Sequence, residues 1–165
     1  ITDLLSLVKM DKKAADLHIE NKNINELLEL IIKRLTPIAD KQDINLVLES
    51  FRPVNAEVDE TKLTLALSNL VENAIKYNKE GGSVSVVVKG GHSPYAEVSD
   101  TGIGISEENL NKIFSRFFTV DKSHSGKHGG FGLGLAVVKK LCDRAGWKLT
   151  VKSELGAGTT FRIEF

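Results

Sequence analysis

A two-layer α/β sandwich with a mixed, mostly antiparallel sheet is the fold class this sequence predicts, and three observations carry it. Apolar residues recur at helical spacing in long stretches such as Leu27–Leu35 and Leu63–Ala74. Between these, short valine-rich runs such as Ser83–Lys89 have the composition of strands. Glycines fall where those runs end, as in Gly90-Gly91 and Gly156-Ala157-Gly158, so that strands join as hairpins while helices interleave with them.

Taken in order, Ile1, Leu4, Leu5 and Val8 recur at helical spacing and read as the end of an amphipathic helix. Asn23 is an expected N-cap, with Glu26 three residues later completing a capping box. Leu27, Leu28, Ile31, Ile32 and Leu35 form the apolar face of the helix that follows, and Pro37 inside it is an expected kink. Ile44, Leu46 and Leu48 alternate as a strand. Asp59 caps a long helix over about 60–78, with Leu63, Leu67, Leu70, Val71 and Ala74 on one face.

Glu80-Gly81-Gly82 is a turn signal. Strands over 83–89 and 95–99 form a hairpin about Gly90-Gly91. Residues 100–105 read as a glycine loop, 107–118 as a short helix and 119–130 as a polar, basic, glycine-containing loop. A helix over 132–145 opens on glycines, and strands over 147–153 and 159–165 close the chain as a second hairpin.

At 165 residues the chain suits one domain with a short appendage, long enough to bury a core without staples. Lys+Arg and Asp+Glu are both 22, so net charge is zero. That argues against broad sequence-independent nucleic-acid binding, which needs a basic face. A single cysteine, Cys142, permits no internal disulfide and fits a reducing compartment. No apolar run approaches the length of a membrane span.

Three glycine clusters carry the chemistry: Asp100-Thr101-Gly102-Ile103-Gly104-Ile105, Gly130-Phe131-Gly132-Leu133-Gly134-Leu135, and Gly156-Ala157-Gly158-Thr159-Thr160-Phe161. Glycine permits close backbone approach to a ligand and positive φ. A glycine run just before a helix presents N–H groups at the positive end of its dipole, which favours phosphate. The P-loop and the dinucleotide-binding fingerprint are both missing. Any one cluster alone reads as a plain turn; three at element junctions point to a ligand. On the 60–78 helix, Asn69, Asn73 and Lys76 are spaced i, i+4, i+7 and share one face. Alone that stripe reads as a solvated face. Beside a phosphate-binding loop, an asparagine oxygen suits Mg²⁺, a lysine suits phosphate and Tyr77 suits a purine.

These residues resemble the sensor histidine kinases of two-component systems. Leu67-Ser68-Asn69-Leu70-Val71-Glu72-Asn73-Ala74-Ile75-Lys76-Tyr77 looks like that family's asparagine box. Asp100–Ile105 looks like its first glycine box, and Ile113-Phe114-Ser115-Arg116-Phe117-Phe118 resembles its phenylalanine box. The other two glycine clusters resemble its remaining boxes, in the family's order.

The resemblance implies a Bergerat-type ATP site using ATP and Mg²⁺. Asp100 would accept the adenine amino group, with Thr159 supporting the base, and Tyr77 would flank it. Asn73 would be the Mg²⁺ ligand; Asn69 and Lys76 would lie near the phosphates. Gly102, Gly104 and Ile105 would let the chain pass close to the nucleotide. Gly130, Gly132, Leu133, Gly134 and Leu135 would supply the phosphate-binding N–H groups. Residues 119–130 would be an ATP lid, with Lys122 on the nucleotide, and Arg116 would reach phosphate or the partner domain. Asn69, Lys76 and Arg116 would be the residues acting in catalysis.

The resemblance further implies that residues 1–18 end the second helix of a dimerisation and phosphoacceptor domain and the linker from it, leaving 19–165 as the catalytic domain. Its partners would be that domain, on whose histidine the γ-phosphate is placed, and the receiver domain of a response regulator. The domain would be cytoplasmic, within a homodimeric parent that in most such kinases is anchored in the inner or plasma membrane. Two positions depart from the pattern: Thr119 stands where arginine is common, and Phe131 where a small hydroxyl residue is common. Thr119 shifts a γ-phosphate role to Arg116, Lys122 or Lys127.

The rival readings are a hydrolysing ATPase of the same fold and a nucleotide-sensing module without catalysis. In gyrase-like and chaperone ATPases a glutamate stands at the position of Asn69 and serves as base for water, which an amide cannot do. His124 and His128 are spaced i, i+4 but lack an acidic or cysteine partner, so they are weak metal ligands. His18 is followed by Ile19-Glu20 rather than directly by an acidic residue, and reads as a surface histidine rather than a phosphoacceptor.

Overall fold

The computed structural model describes residues 17–114 and 134–165. In chain order these form β1 (Ile19–Asn23), α1 (Ile24–Lys41), β2 (Asn45–Glu49), β3 (Asn55–Asp59), α2 (Glu60–Lys76), β4 (Ser83–Lys89), β5 (Tyr95–Asp100), α3 (Glu107–Leu110), α4 (Gly134–Ala145), β6 (Lys148–Glu154) and β7 (Gly158–Glu164).

Five strands make one sheet in the order β2-β4-β5-β7-β6. β2 runs parallel to β4, and every other pairing is antiparallel, so the sheet is mixed as expected. The period of two decides its faces. In β4, Val84, Val86 and Val88 are buried while Ser83, Ser85 and Val87 are only half-covered. The register continues these rows across the sheet as Leu48, Val86, Val98, Phe161 and Val151, then Val88, Ala96, Ile163 and Leu149.

α2 packs between α1 and α4, and these helices form the second layer. Its inward stripe of Leu63, Leu67, Leu70 and Val71 is at most 1% exposed. α1 contributes Ile24, Leu28, Ile31 and Leu35, and α4 contributes Val137, Val138, Leu141 and Cys142. Leucine-rich amphipathic stripes against a valine-rich pleat make one continuous core.

The caps fall where the sequence places them. Asn23 accepts the N–H of Glu26 at 3.0 Å, and Asp59 accepts that of Lys62 at 3.0 Å. α1 runs through Pro37 to Lys41. The long helix stops at Lys76, and Tyr77 is its C-cap.

The sequence does not announce the small second sheet. β1 pairs antiparallel with β3, from Ile19↔Asp59 to Asn23↔Asn55. β1 reads IENKN and carries almost no apolar residue, while β3 reads NAEVD and turns only Ala56 and Val58 toward the core. Each strand leads directly into a helix cap, Asn23 for α1 and Asp59 for α2. The expected short helix after Ser106 covers only Glu107–Leu110 among the described residues. Residues 111–114 are turn rather than helix, so the expectation fails there; residues 115–118, and the expected helix over residues 1–11, lie outside the described residues.

Candidate functional site

The sheet's apolar rows end in a polar one. The register pairs Val84 with Asp100, Asp100 with Thr159, and Thr159 with Ser153. Two residues further along these strands, Val98, Phe161 and Val151 occupy the same helix-facing side. Asp100, Thr159 and Ser153 are therefore inward positions carrying oxygen where the pattern supplies carbon.

Backbone donors hold the carboxylate in place. Asp100 Oδ1 accepts the N–H of Gly102 at 2.8 Å and that of Thr159 at 3.3 Å. Burial pushes the Asp100 carboxyl above its ordinary range, and the two N–H groups oppose that shift without cancelling it. The result is a half-buried acceptor, fixed at one oxygen, at the end of the sheet.

The first glycine loop is laced to its surroundings. Ile103 N–H donates to the Tyr77 carbonyl at 3.1 Å, and Ile103 in turn accepts Gly156 N–H at 2.8 Å. The Thr101 hydroxyl accepts Ser83 N–H at 2.9 Å and meets Asn78 Oδ1 at 3.1 Å. Ile105 N–H donates to Ser153 Oγ at 2.7 Å. Tyr77 is half-buried where α2 ends, and burial pushes its phenol above the usual range.

The glycines here are required by contact. A Cβ at Gly104 would overlap the carbonyl oxygen of Glu154, at a φ of +72°. One at Gly102 would overlap the carbonyl oxygen of Tyr77. The first and third glycine clusters touch each other where a Cβ at Gly158 would overlap the Asp100 carbonyl oxygen and where Gly156 N–H donates to the Ile103 carbonyl, a meeting that sequence spacing alone does not reveal.

Asn69 and Asn73 point at the start of α4. A Cβ built on Gly134 would stand 3.4 Å from Asn73 Nδ2, 3.8 Å from Asn73 Oδ1 and 4.0 Å from Asn69 Oδ1. The carboxamides of both residues thus face the end of a 12-residue helix that carries the positive end of its dipole. Asn69 is 7% exposed, and its Nδ2 is buried without a hydrogen-bond partner among the described residues. An unsatisfied buried amide in a native fold calls for a ligand or a functional explanation.

Lys76 shares that helical face in projection and lines a groove of about 710 Å³ at the ends of α1 and α2, with Lys41, Asp43, Glu72 and Glu80. Ile105 is buried beneath the first glycine loop, and Leu135 packs against the core from the first turn of α4. Arg116, Lys122, Gly130, Gly132, Leu133, the expected lid and the pair His124 and His128 lie outside the described residues. His18 is exposed, and its backbone N–H donates to Asp59.

Among the described residues no group of three or more His, Cys, Asp or Glu side chains is placed to hold a metal ion. The oxygens available beside α4 are amide oxygens.

Residues 58–165 match the model of the histidine kinase-, DNA gyrase B-, and HSP90-like ATPase family. The chain belongs to this family. Within it, the chain is similar to sensor histidine kinase WalK of Bacillus subtilis (strain 168), 35% identical over 164 residues, covering 97% of this chain and 27% of that protein. It thus spans about a quarter of the length of this relative. Among solved structures it is similar to full-length ShkA in complex with AMPPNP, at a TM-score of 0.84 and 27% identity, covering 99% of this chain and 34% of that one. It is also similar to histidine kinase ThkA in complex with response regulator protein TrrA, at a TM-score of 0.81 and 26% identity, covering 99% of this chain and 46% of that one. The fold is that of a histidine-kinase ATP-binding catalytic domain, and the Asp100 loop and the Asn69–Asn73 face are parts of its ATPase region.

Ser153 belongs to the candidate site by its contacts with Ile105 and Thr159, though it lies in none of the sequence motifs. It sits two residues beyond Val151 on an inward face, so a polar side chain in an apolar alternation was the signal that marked it.

Proposed function

We propose that this chain binds Mg-ATP between the Asp100 loop and the start of α4 and presents the γ-phosphate to a histidine on a separate dimerisation domain. Relay to an aspartate of a response regulator follows from the same reading, in keeping with the complex described for ThkA. Residues 1–18 belong to the dimerisation domain and linker, and 19–165 form the catalytic domain.

The observation that carries the reading is the pairing of a fixed carboxylate with an asparagine face on which Asn69 Nδ2 has no hydrogen-bond partner among the described residues. Asp100, held by Gly102 and Thr159, takes the adenine amino group with its remaining acceptor capacity. Thr159 supports the base and Tyr77 flanks it. Asn73 and Asn69 face the N–H groups of α4, where phosphate oxygens are favoured. Asn73 supplies an oxygen to Mg²⁺, a hard cation that takes one or two protein oxygens and completes its shell with phosphate and water. When bound, the ion neutralises phosphate charge. Lys76 and Arg116 add positive charge near the phosphates, and Lys122, Gly130, Gly132, Leu133 and Leu135 complete the phosphate side.

This chain's own residues bind, orient and neutralise, which is most of what phosphoryl transfer asks of a protein. Asn69 cannot remove a proton from water, which separates this reading from a hydrolysing ATPase.

The test uses γ-labelled ATP. The chain alone binds Mg-ATP, labels itself negligibly and hydrolyses slowly. A separate dimerisation domain restores labelling, and the product is stable to alkali and lost in acid, as phosphohistidine is. Transfer is slower than in a tethered kinase, because the tether supplies effective concentration. Asn73→Ala abolishes it. Strong self-labelling, or acid-stable label, overturns the reading.

A further inference from the structure

Ser153 Oγ stands at the centre of three contacts. It lies 2.7 Å from Ile105 N, 2.9 Å from the Gly158 carbonyl oxygen and 2.8 Å from Thr159 Oγ1. A serine hydroxyl has one hydrogen to donate and two lone pairs. The Gly158 carbonyl can only accept, so it takes the Ser153 hydrogen. The Ile105 N–H can only donate, so it takes one lone pair. The third contact then has one solution: Thr159 donates its hydroxyl hydrogen to Ser153.

Thr159 is left with lone pairs and no hydrogen to offer. It is 6% exposed, and its backbone N–H is spent on Asp100 Oδ1. A buried side chain held this way has no free rotor with which to reverse its polarity. Asp100, when ionised, is acceptor-only too.

We infer that Ser153 is a specificity-determining positioning residue: by fixing Thr159 as a pure acceptor beside Asp100, it makes the pocket select a base edge that carries an amino group over one that carries an oxo group. The inference rests on the reading that this pocket takes the adenine of ATP. The polarity reaches the base directly, or through a water that gives one hydrogen to Thr159 and the other to the ring nitrogen. Ser153 touches no substrate and acts only through the Thr159 hydroxyl. Without Ser153, Thr159 recovers a hydrogen to donate, and an oxo-bearing base such as hypoxanthine gains a partner.

The experiment measures Kd for Mg-ATP and Mg-ITP on the chain as it stands. Ser153→Ala lowers the ATP-over-ITP preference by about three- to tenfold, the scale of one neutral hydrogen bond. Ser153→Thr, which keeps the hydroxyl, retains the preference. In a Thr159→Val background, Ser153→Ala no longer changes the ratio. Ser153→Cys provides the same comparison with a poor hydrogen-bonding group of similar shape, should the alanine variant fold badly. Equal weakening of both nucleotides, or an undiminished effect in the Thr159→Val background, overturns the inference by reducing Ser153 to a loop brace. Failure of the underlying reading looks different: Asp100→Asn would then leave ATP affinity unchanged.

Discussion

Asp100 and Thr159 meet across the β5–β7 ladder, where one carboxylate oxygen of Asp100 receives the Thr159 backbone N–H at 3.3 Å. The same oxygen receives Gly102 N–H at 2.8 Å, so among the described residues backbone N–H groups position the carboxylate. Its charge is held against a desolvation cost that these two donors only partly relieve.

Asp100→Asn separates those effects. Asparagine keeps an oxygen for both N–H groups but loses the charge. ATP affinity falls about ten- to a hundredfold, the scale of a charge-assisted hydrogen bond. The folded carboxyl has a raised pKa, so its contribution to stability is greatest below the ordinary aspartate range and is lost as pH rises through the folded value. At neutral pH the nucleotide-free variant therefore unfolds at a higher temperature than the parent. That advantage shrinks towards pH 3. Thermal unfolding across pH, with an ATP titration at pH 7, checks both halves.

Asn69→Leu makes the same trade on the phosphate side. The Asn69 Nδ2 is buried without a partner among the described residues, and such a group costs about 1–3 kcal/mol. Leucine fits the volume and removes the donor. The nucleotide-free domain gains about 1 kcal/mol in urea unfolding, and the stabilisation that Mg-ATP confers is lost. A variant less stable than the parent would show that the amide is satisfied in solution.

Gly104→Ala tests the close approach of the first glycine loop to the end of β6. The added Cβ meets the Glu154 carbonyl oxygen, in a backbone conformation that alanine resists. The cost is about 2 kcal/mol or more, because backbone cannot swing aside as a flexible side chain would. Gly91→Ala is the control: its φ is +101° but its Cβ would meet nothing. Paired urea midpoints decide the matter. Equal losses would mean that conformation alone sets the cost at Gly104.

Asp59 governs acid stability. Its side chain is 4% exposed, and burial pushes the pKa up. The N–H groups of His18 and Lys62 and the Lys62 ammonium outweigh burial, so the folded pKa is lowered. A depressed carboxyl contributes stability above its ordinary value, lost as pH falls through the lowered one. Asp59→Asn therefore costs about 1–2 kcal/mol at pH 7, where it loses the charge and opposes an NH₂ to one of its donors. The gap between variant and parent closes as pH drops below the ordinary aspartate range. A gap constant from pH 7 to pH 2.5 would remove Asp59 from this role.

The sequence by itself determined the layers and the motifs. Leu63, Leu67, Leu70 and Val71 at helical spacing, and Val84, Val86 and Val88 at strand spacing, specify which faces meet, because each element has one apolar side and must bury it. Asn23 and Asp59 marked the helix starts, since a short polar side chain there replaces a missing backbone partner. Asn69, Asn73, Asp100 and Thr159 were legible as candidate ligand-binding residues through their boxes. The tertiary structure alone decided the rest. The pairing of β1 with β3 was hidden because β1 is almost wholly polar and β3 shows only the short alternation of Ala56 and Val58, too little to name a partner strand. The contact of Gly104 with Glu154 joins residues fifty positions apart, and spacing says nothing about such a meeting. The alternation of Leu149, Val151 and Ser153 marked Ser153 only as an odd polar residue, and its part in the candidate site stayed hidden for a related reason. Its role lies in which of three neighbours gives or takes a hydrogen, and those neighbours come together only when β6, β7 and the Asp100 loop are in register.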